Sequence, residues 1–314
     1  MADTTIAQRE LHIHSLEYNG LTWLDIEDPS KAEMKFLQKN YPFHPLHLED
    51  CLSWVQLPKL DKYQDYVFLV LHFPIFNKKV RITTPSQVSV FVGARYVVTV
   101  HQGNLGPLTK FFGECQESED SRHRYMSHSS GRLLYHILDG LVDYCFPILN
   151  AISRKVDAVE EQVFEGSLRE TVRELSILRR DIISYRRIIR TQIGVLELLE
   201  EKEFPLLKVD PDVYFGDLAD HIRRIWVGLE ELKEVMENLS ESHDSLTSHH
   251  INEVMRTLTV ITTIMLPLIV VSGIYAQNIP LPYQNENIVF PILMASMVLL
   301  GGAMLVLFKW KRWI

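Results

Sequence analysis

The amino-acid sequence predicts an α+β protein in which a mixed sheet with flanking helices is followed by long helices and a membrane-spanning helical hairpin. Residues 11–104 combine strand and helix signals. From about residue 129, apolar side chains recur at the period of an α-helix. Two runs near the end of the chain contain no charged side chain, although 23% of the 314 residues are charged. These observations predict three segments, residues 1–128, 129–250 and 251–314.

The first segment carries the strand signals. The strand candidates share a high content of β-branched and aromatic side chains. They are residues 11–18, 21–26, 66–73, 87–92 and 95–100. Gly93-Ala94 between the last two predicts a hairpin. Asp28 and Pro29 predict the N-cap and the first turn of a helix. We therefore expect a small mixed sheet with helices packed against it.

Long helices dominate the second segment. Residues 129–165 predict a helix that Pro147 kinks. Residues 168–203 place apolar side chains on one helical face. A third helix is predicted over 212–276, with a length on the order of 98 Å. Seven arginines between residues 169 and 190 form a basic face, which we interpret as a solvated or ion-paired surface rather than a nucleic-acid site.

The two charge-free runs, residues 257–276 and 288–308, are each long enough to cross a bilayer. Twenty residues at about 1.5 Å per residue cover roughly 30 Å. The short loop of residues 277–287 allows only a tight hairpin, and the tail KWKRWI places three bases and two tryptophans after the second run. Such a tail is typical of a cytoplasmic interface. We predict a multi-pass protein of the cytoplasmic (inner) membrane with both termini in the cytosol. Two buried helices of a soluble core are the alternative.

Composition excludes several classes of function. Residues 1–250 hold 28 bases and 38 acids, a net charge of −10, so no nucleic-acid partner is expected. Three widely spaced cysteines (Cys51, Cys115 and Cys145) indicate reduced thiols rather than disulfides or a zinc knuckle. The sequence contains no phosphate-binding glycine loop, Gly-x-Ser-x-Gly elbow or His-Glu-x-x-His motif. We therefore expect neither an enzyme nor a required cofactor.

One face of the first membrane run follows a 3.5-residue repeat, the period that keeps a helix face turned towards parallel copies. Polar residues on this face can hydrogen-bond the water shell of an ion, and apolar ones can close a pore by dewetting. Because two spans cannot enclose a channel, transport requires a ring of subunits. Ordinary packing of membrane helices gives a similar pattern, and periodicity does not separate the two. The seam comprises Asn252, Met255, Thr259, Thr262, Leu266, Ile269, Gly273 and Ala276.

The segment INEVMRTLTVITTIMLPLIVVSGIYAQN, residues 251–278, resembles the pore helix of CorA-type divalent-cation channels. It has the same Asn-Glu-Val-Met start, central proline and Gly-Ile-Tyr ending. HPLHLED and LPKLDKYQDYVFLVL, between residues 44 and 71, are similar to the family's cytosolic segment. The resemblance implies a homopentameric funnel with a cytosolic α/β/α domain, long stalk helices and an inner ring of first spans. It also implies divalent cations as substrate and regulator, with the lipid bilayer and further copies of the chain as partners.

The chain departs from the family at the outer end of the predicted pore. The family has Gly-Met-Asn where this chain has Ala276-Gln277-Asn278, the predicted selectivity filter. The resemblance assigns Asn278 to a ring of amides around a hydrated cation, which suits Mg²⁺ because that ion keeps its waters. Ile269 stands where the family leads us to expect a hydroxyl. Glu286 in the loop is expected to form a weak cation-attracting ring.

Carboxylates of the stalk helix are candidates for a regulatory metal site. FGDLADH, residues 215–221, resembles the family segment that carries a Mg²⁺ site between subunits, with Asp217 at the matching acid. Asp220 lies on the same helix face, and Glu241 could add another acidic ring. Acids that face each other across subunits repel, so a bound cation would hold the ring closed. Plain solvated acids are the alternative.

Histidines suggest a different ion. His243, His249 and His250 precede the first span, and imidazole suits Zn²⁺, Ni²⁺ or Co²⁺ better than Mg²⁺. Polar interfacial residues are the alternative, and the HPLH histidines at 44–47 are predicted to pack rather than to bind metal. The predicted function is a Mg²⁺-class channel that passes ions down their electrochemical gradient and is gated by cytosolic cations. The alternatives are a Zn²⁺ transporter of the same fold and a non-conducting membrane sensor or scaffold.

Overall fold

The structure is a computed structural model that describes residues 11–53, 56–165, 168–276 and 288–313. The chain forms two compact units, Met1–Leu239 and Ser240–Ile314. The division falls within one long helix, Pro211–Tyr275. The predicted segment boundaries at residues 128 and 250 stay a prediction.

One mixed sheet of six strands lies in the part of the first unit that the structure describes. The strands are β1 Ile13–Tyr18, β2 Leu21–Glu27, β3 Lys59–Lys62, β4 Tyr66–Asn77, β5 Ile82–Gly93 and β6 Tyr96–His101. Their order in the sheet is β1-β2-β6-β5-β4-β3, with β2 and β6 parallel and the other neighbours antiparallel. The predicted hairpin is confirmed, because β5 ends at Gly93 and β6 begins at Tyr96 in antiparallel register.

The helices found among the described residues fall into two groups by length. Those of the sheet region and its edge are α1 Lys31–Asn40, α2 Pro45–Leu52, α3 Gly106–Glu117 and α4 Glu119–Met126. The longer ones are α5 Ser130–Asp143, α6 Cys145–Glu165, α7 Leu168–Glu201, α8 Pro211–Tyr275 and α9 Val289–Trp310.

The sheet is buried on both faces, which makes the first unit a three-layer α/β/α structure. Successive side chains of a strand point to opposite faces. Accordingly, Val67 and Leu69 of β4 belong to the core shared with the long helices, whereas Phe68 and Val70 belong to the core beneath α1 and α2. All four are at most 1% exposed, so neither face of this strand is left to solvent. The predicted α/β/α layering is confirmed.

Two local predictions are wrong for identifiable reasons. The N-cap of α1 is Ser30 rather than Asp28, because Ser30 and Glu33 form a reciprocal capping box, with the Ser30 N–H donating to Glu33 Oε2 over 2.8 Å. The predicted helix 129–165 breaks at Tyr144 and not at Pro147. Pro147 lies in the first turn of α6, where the missing amide proton costs no helical hydrogen bond.

The second unit contains the end of α8 and all of α9. Both are long and apolar enough to cross a membrane. Only 6% of the apolar window of α8, and none of that of α9, is buried in the isolated chain, which is unlike the core helix of a soluble protein. The two helices approach closely at Gly301, where a β-carbon would stand 3.9 Å from Leu268 Cδ1.

Candidate functional site

The predicted seam of α8 is exposed along its whole length. Met255, Leu266 and Ile269 are 54%, 58% and 62% exposed in the single chain. The better-covered side of the helix carries Val260, which is 6% exposed. The seam residue Thr259 precedes Val260 by one position, a rotation of about 100° around the helix. The seam is therefore free to meet lipid or further copies of the chain.

The hydroxyl protons of two seam threonines are donated to carbonyl groups of the helix backbone. Thr259 Oγ1 donates to the Met255 carbonyl over 2.7 Å, and Thr262 Oγ1 donates to the Leu258 carbonyl over 2.8 Å. A hydroxyl has one proton and two acceptor lone pairs, so each presents only acceptors outward. The water shell of a cation points its hydrogens outward and needs acceptors. The seam thus matches a hydrated cation rather than a hydrated anion.

The outer end of the seam lies at the limit of the described residues. Ala276 is exposed, and its N–H donates to the Ser272 carbonyl over 3.0 Å, which closes the last turn. Gln277, Asn278 and Glu286 lie outside the described residues. Their predicted roles stay predictions.

A second constellation joins α5 and α8 within the first unit. Asp139 and Asp143 are four residues apart on α5, and Asp217 and His221 are four residues apart on α8, so each pair shares a helix face. His221 Nδ1 lies 3.8 Å from Asp143 Oδ1, and its Nε2 lies 3.7 Å from Asp217 Oδ1. Tyr135 Oη donates to Asp217 Oδ2 over 3.2 Å. We call Asp139, Asp143, Asp217 and His221 the carboxylate cluster.

The carboxylate cluster carries uncompensated negative charge. Burial, together with the charges of Asp143 and Asp217, raises the pKa of Asp139. Burial and the charges of Asp139 and Asp217 also raise the pKa of Tyr135 to about 12. Both shifts favour the neutral form of the group, chiefly because it is buried and in addition because other acids lie nearby. A bound cation would relieve this repulsion.

The cluster has the ligand atoms that a divalent cation requires. One ligand atom from each of Asp139, Asp143 and His221 lies within 4.8 Å of the other two. His221 Nδ1 is buried and has no hydrogen-bond partner among the described residues. An unpaired buried nitrogen is costly, and a metal ion or ordered water would satisfy it. The donor set of carboxylates and imidazole suits both hard and borderline divalent cations.

Comparison with known proteins identifies the family. The model of the family described as "CorA-like Mg2+ transporter protein" matches residues 18–312. The chain belongs to the CorA-like Mg²⁺ transporter family. The CorA-type resemblance and the prediction that the chain is not an enzyme are thereby confirmed.

Several relatives match the CorA-like chain over most of its length. A cobalt/magnesium transport protein CorA from Thermotoga maritima is 30% identical over 295 residues, which cover 93% of this chain and 83% of the relative. A zinc transport protein ZntB from Yersinia enterocolitica is 20% identical over 297 residues, covering 93% and 88%. The structure of a CorA magnesium transporter from Methanocaldococcus jannaschii aligns with a TM-score of 0.81 at 24% identity, over 96% of this chain and 94% of that one. The last match shows the fold.

The structure separates the predicted regulatory acids of this CorA-like chain. Asp217 lies in the carboxylate cluster, whereas Asp220 Oδ1 pairs with Arg223 Nη1 at 3.1 Å and is 71% exposed. Glu241 is exposed and lies in the second unit. Sequence reasoning missed Asp139 and Asp143. The four-residue spacing of Tyr135, Asp139 and Asp143 places these side chains on one face of a helix, which is a signal in the sequence. Nothing in the local sequence shows that this face lies opposite Asp217.

The other group of acids and histidine with metal-binding spacing among the described residues is satisfied internally. In the group of Asp25, Glu27 and His101, the His101 Nδ1 accepts from the Gly103 N–H at 3.0 Å, and Nε2 lies 3.1 Å from Asp25 Oδ1. Both ring nitrogens are thus occupied. His47 of HPLH is likewise buried, with Nδ1 3.0 Å from Tyr66 Oη, which agrees with its predicted packing role.

The three histidines proposed for a transition metal do not meet within one chain. His243 is 7% exposed, whereas His249 and His250 are exposed. They form no group with metal-binding spacing in the part of the chain that the structure describes. The seven-residue spacing of His243 and His250 therefore does not produce a shared site within a chain.

Proposed function

We propose that the chain is a subunit of a homopentameric channel that passes divalent cations, with Mg²⁺ as the main ion, across the cytoplasmic membrane. The observation that carries this proposal is the seam of α8, whose threonine hydroxyls present only acceptors. Five parallel copies of the seam would line one water-filled path. Membership in a family of Mg²⁺ transporters supports the ion class.

The membrane potential drives the proposed flux. Moving a divalent cation inward across 100 mV is favourable by about 4.6 kcal/mol, twice the value for one charge. The proposed orientation places both termini and the first unit in the cytosol, which the basic tail supports. Asn278 is the proposed entry filter, with Ala276 and Gln277 beside it. Glu286 of the loop is proposed to attract cations to the mouth.

We place the gating cation at the carboxylate cluster. Its support is the raised pKa of Asp139 and the unpaired Nδ1 of His221. If Asp217 faces a neighbouring subunit, a cytosolic cation bound there would neutralise acids on both sides of the contact and favour a closed ring. Loss of the cation would leave the acids of neighbouring subunits to repel each other. Asp220 and Glu241 stay proposed contributors between subunits.

A Zn²⁺ transporter of the same fold is the second candidate. The imidazole of His221 in the carboxylate cluster and the likeness to a zinc transport protein favour it. A non-conducting sensor or scaffold is the third candidate. It is favoured by Ile269, which places a large apolar side chain on the seam, and by Ala276-Gln277 in place of Gly-Met.

Flux into liposomes tests the channel proposal. Thr262→Val removes a seam hydroxyl, while Thr263→Val removes a hydroxyl one position off the seam whose bond to the Thr259 carbonyl is equivalent, at 2.7 Å. We expect Thr262→Val to reduce Mg²⁺ uptake about tenfold or more and Thr263→Val to leave it near the wild-type rate. Equal effects of the two variants would remove the pore assignment. Asn278→Ala should abolish uptake.

Competition separates the candidate functions. Mg²⁺ uptake that excess Zn²⁺ does not reduce would favour the Mg²⁺ channel, whereas Zn²⁺ uptake that excess Mg²⁺ does not reduce would favour the zinc transporter. Protein that passes none of Mg²⁺, Zn²⁺, Co²⁺ and Ni²⁺, even after cytosolic-side metal is removed, would establish the sensor or scaffold. Asp217→Ala serves as the gating control, because it should conduct where cation-bound wild type is closed.

A further inference from the structure

The exposed side of α7 is a surface of one charge sign in an acidic protein. Five arginines project from it: Arg173, Arg179, Arg180, Arg187 and Arg190. None of them forms a hydrogen bond or ion pair with an acid in the part of the chain that the structure describes. Ile183, which is 42% exposed, lies among them. We call these six residues the α7 arginine face.

The two acids between Arg173 and Arg190 direct their hydrogen bonds away from the face. Glu174 forms a bidentate pair with Arg81, with N–O distances of 2.8 and 2.7 Å. Asp181 is fully buried and accepts from the Thr83 N–H over 2.5 Å. Of the arginines between residues 173 and 190, Arg186 alone forms an ion pair among the described residues, with Glu230. The surface predicted to be solvated or ion-paired is ion-paired at Arg186 and solvent-exposed at the five arginines of the α7 arginine face.

The first unit also carries a surface with the opposite charge. On α8, Glu231 and Glu234 are exposed and form no ion pair in the described residues. Val227 and Val235, on the same side of the helix, are 54% and 37% exposed. We call these four residues the α8 acidic face. Like the α7 arginine face, it combines exposed apolar side chains with charges of one sign.

We propose that the α7 arginine face of one copy docks against the α8 acidic face of the next copy. The apolar side chains would form the centre of the contact and the charges its rim, as in many protein interfaces. Because the two faces lie on different helices, the contact is heterologous. A repeated heterologous contact gives a closed ring when the rotation between neighbouring copies divides a full turn evenly. This inference rests on the proposed homo-oligomer and names the surfaces that hold it together.

Charge complementarity favours a second copy as the occupant. Net charge opposes attraction between copies of an acidic chain, so an ordered ring needs local attraction. The two faces supply that attraction from the same sequence. A nucleic acid would meet the −10 charge of residues 1–250 around the same arginines.

Cross-linking tests the contact directly. Full-length chains with different tags, one carrying Ile183→Cys and the other Val227→Cys, are co-expressed and treated with a short bis-maleimide. The three native cysteines are buried, so the introduced thiols are the reactive ones. We expect a cross-linked product that carries both tags, with a yield several-fold above that of the control pair Val80→Cys with Val227→Cys. Val80 serves as the control because it is exposed but lies outside both faces. Equal yields for the two pairs, or a product from Ile183→Cys alone, would overturn the proposal.

Charge reversal tests whether the proposed contact stabilises the oligomer. Arg180→Glu with Arg187→Glu should raise the concentration at which the oligomer half-dissociates about tenfold, which corresponds to about 1.4 kcal/mol. Adding Glu231→Arg with Glu234→Arg should restore the wild-type value, and failure to restore it would refute the pairing. Native mass spectrometry separates the two proposals. A monomeric wild type would overturn the homopentamer as well, whereas an oligomeric wild type without the cross-link would overturn the face assignment alone.

Discussion

Neutralising Asp139 should stabilise the cation-free protein. Ligand atoms of Asp139 and Asp143 lie within 4.8 Å of each other. Two unit charges at that separation repel by about 0.9 kcal/mol in water and about 3.5 kcal/mol at an effective dielectric constant of 20. Asp143 is 60% exposed, so the smaller value applies. Asp139→Asn should therefore add about 1 kcal/mol to the free energy of unfolding, or roughly 2–4 °C in Tm for a unit of this size.

The same substitution should remove most of the stabilisation that a divalent cation gives. A ligand at a hundred times its Kd stabilises the folded state by about 2.7 kcal/mol, which corresponds to roughly 5–10 °C in Tm. The assay is thermal unfolding of the full chain in detergent, followed by tryptophan fluorescence, in EDTA and across a Mg²⁺ series. Asp157→Asn is the matched control, because Asp157 is an exposed acid on α6 that lies outside the cluster and has no proposed role in metal binding.

The pH dependence of stability tests independently whether neutralising Asp139 stabilises the folded protein. The pKa of Asp139 is raised in the folded protein, so the folded state holds this proton more tightly than the unfolded chain does. Its contribution to stability is therefore complete below the ordinary pKa of an aspartate and declines as the pH rises through the raised value. Asp139→Asn should flatten this decline in EDTA. A lower Tm for Asp139→Asn in EDTA, or an unchanged Mg²⁺ shift, would refute the assignment of the cluster.

Four further predictions have defined outcomes. Gly131→Ala should cost about 1–3 kcal/mol of stability, since a β-carbon would lie 2.6 Å from the Leu207 carbonyl oxygen, whereas Gly140→Ala, with nothing within 4 Å, should not destabilise; thermal unfolding distinguishes them. Ile269→Thr should raise Mg²⁺ flux in liposomes by restoring a hydroxyl to the seam, and unchanged flux would mean that Ile269 does not limit conduction. His221→Asn should reduce the thermal shift given by Zn²⁺ more than that given by Mg²⁺, because it removes the imidazole ligand; equal losses would place Zn²⁺ elsewhere. Tyr135→Phe should weaken the Mg²⁺ shift without abolishing it, because it removes the 3.2 Å hydrogen bond that orients Asp217, and a shift at the wild-type value would count against that role.

Local patterns predicted the sheet and the membrane helices because each is encoded within a short window. The alternation along β4 buries both faces, and a charge-free run of about twenty residues needs no distant partner to be recognised. The start of α1 was misplaced because several possible capping residues lie within one short window. Asp28, Ser30 and Glu33 compete within six residues, and the reciprocal Ser30–Glu33 bonds decide the outcome.

The sequence predicted only part of the carboxylate cluster. Asp217 came from a motif in α8, but its neighbours Asp139 and Asp143 lie some eighty residues earlier in the chain. Only the packing of α5 against α8, through contacts such as Tyr135 with Asp217, brings the two helix faces together. Whether each of the seven arginines forms an ion pair also depends on residues far away in the sequence. Pairing depends on which acids the fold places opposite each arginine. Among the arginines whose side chains the structure describes, Arg186 lies opposite Glu230.

The two candidate sites differ in the state of the ion that they suit. The carboxylate cluster offers charged oxygens and an imidazole nitrogen close enough to replace waters of hydration, which favours ions that exchange water readily, such as Zn²⁺ or Co²⁺. The seam offers neutral acceptors, whose hydroxyl protons are already bonded to the helix, and these suit an ion that keeps its water shell, such as Mg²⁺. Under the proposed function, the gating cation and the conducted cation therefore need not be the same ion. Selectivity measured by flux and selectivity measured by thermal stabilisation report on different residues.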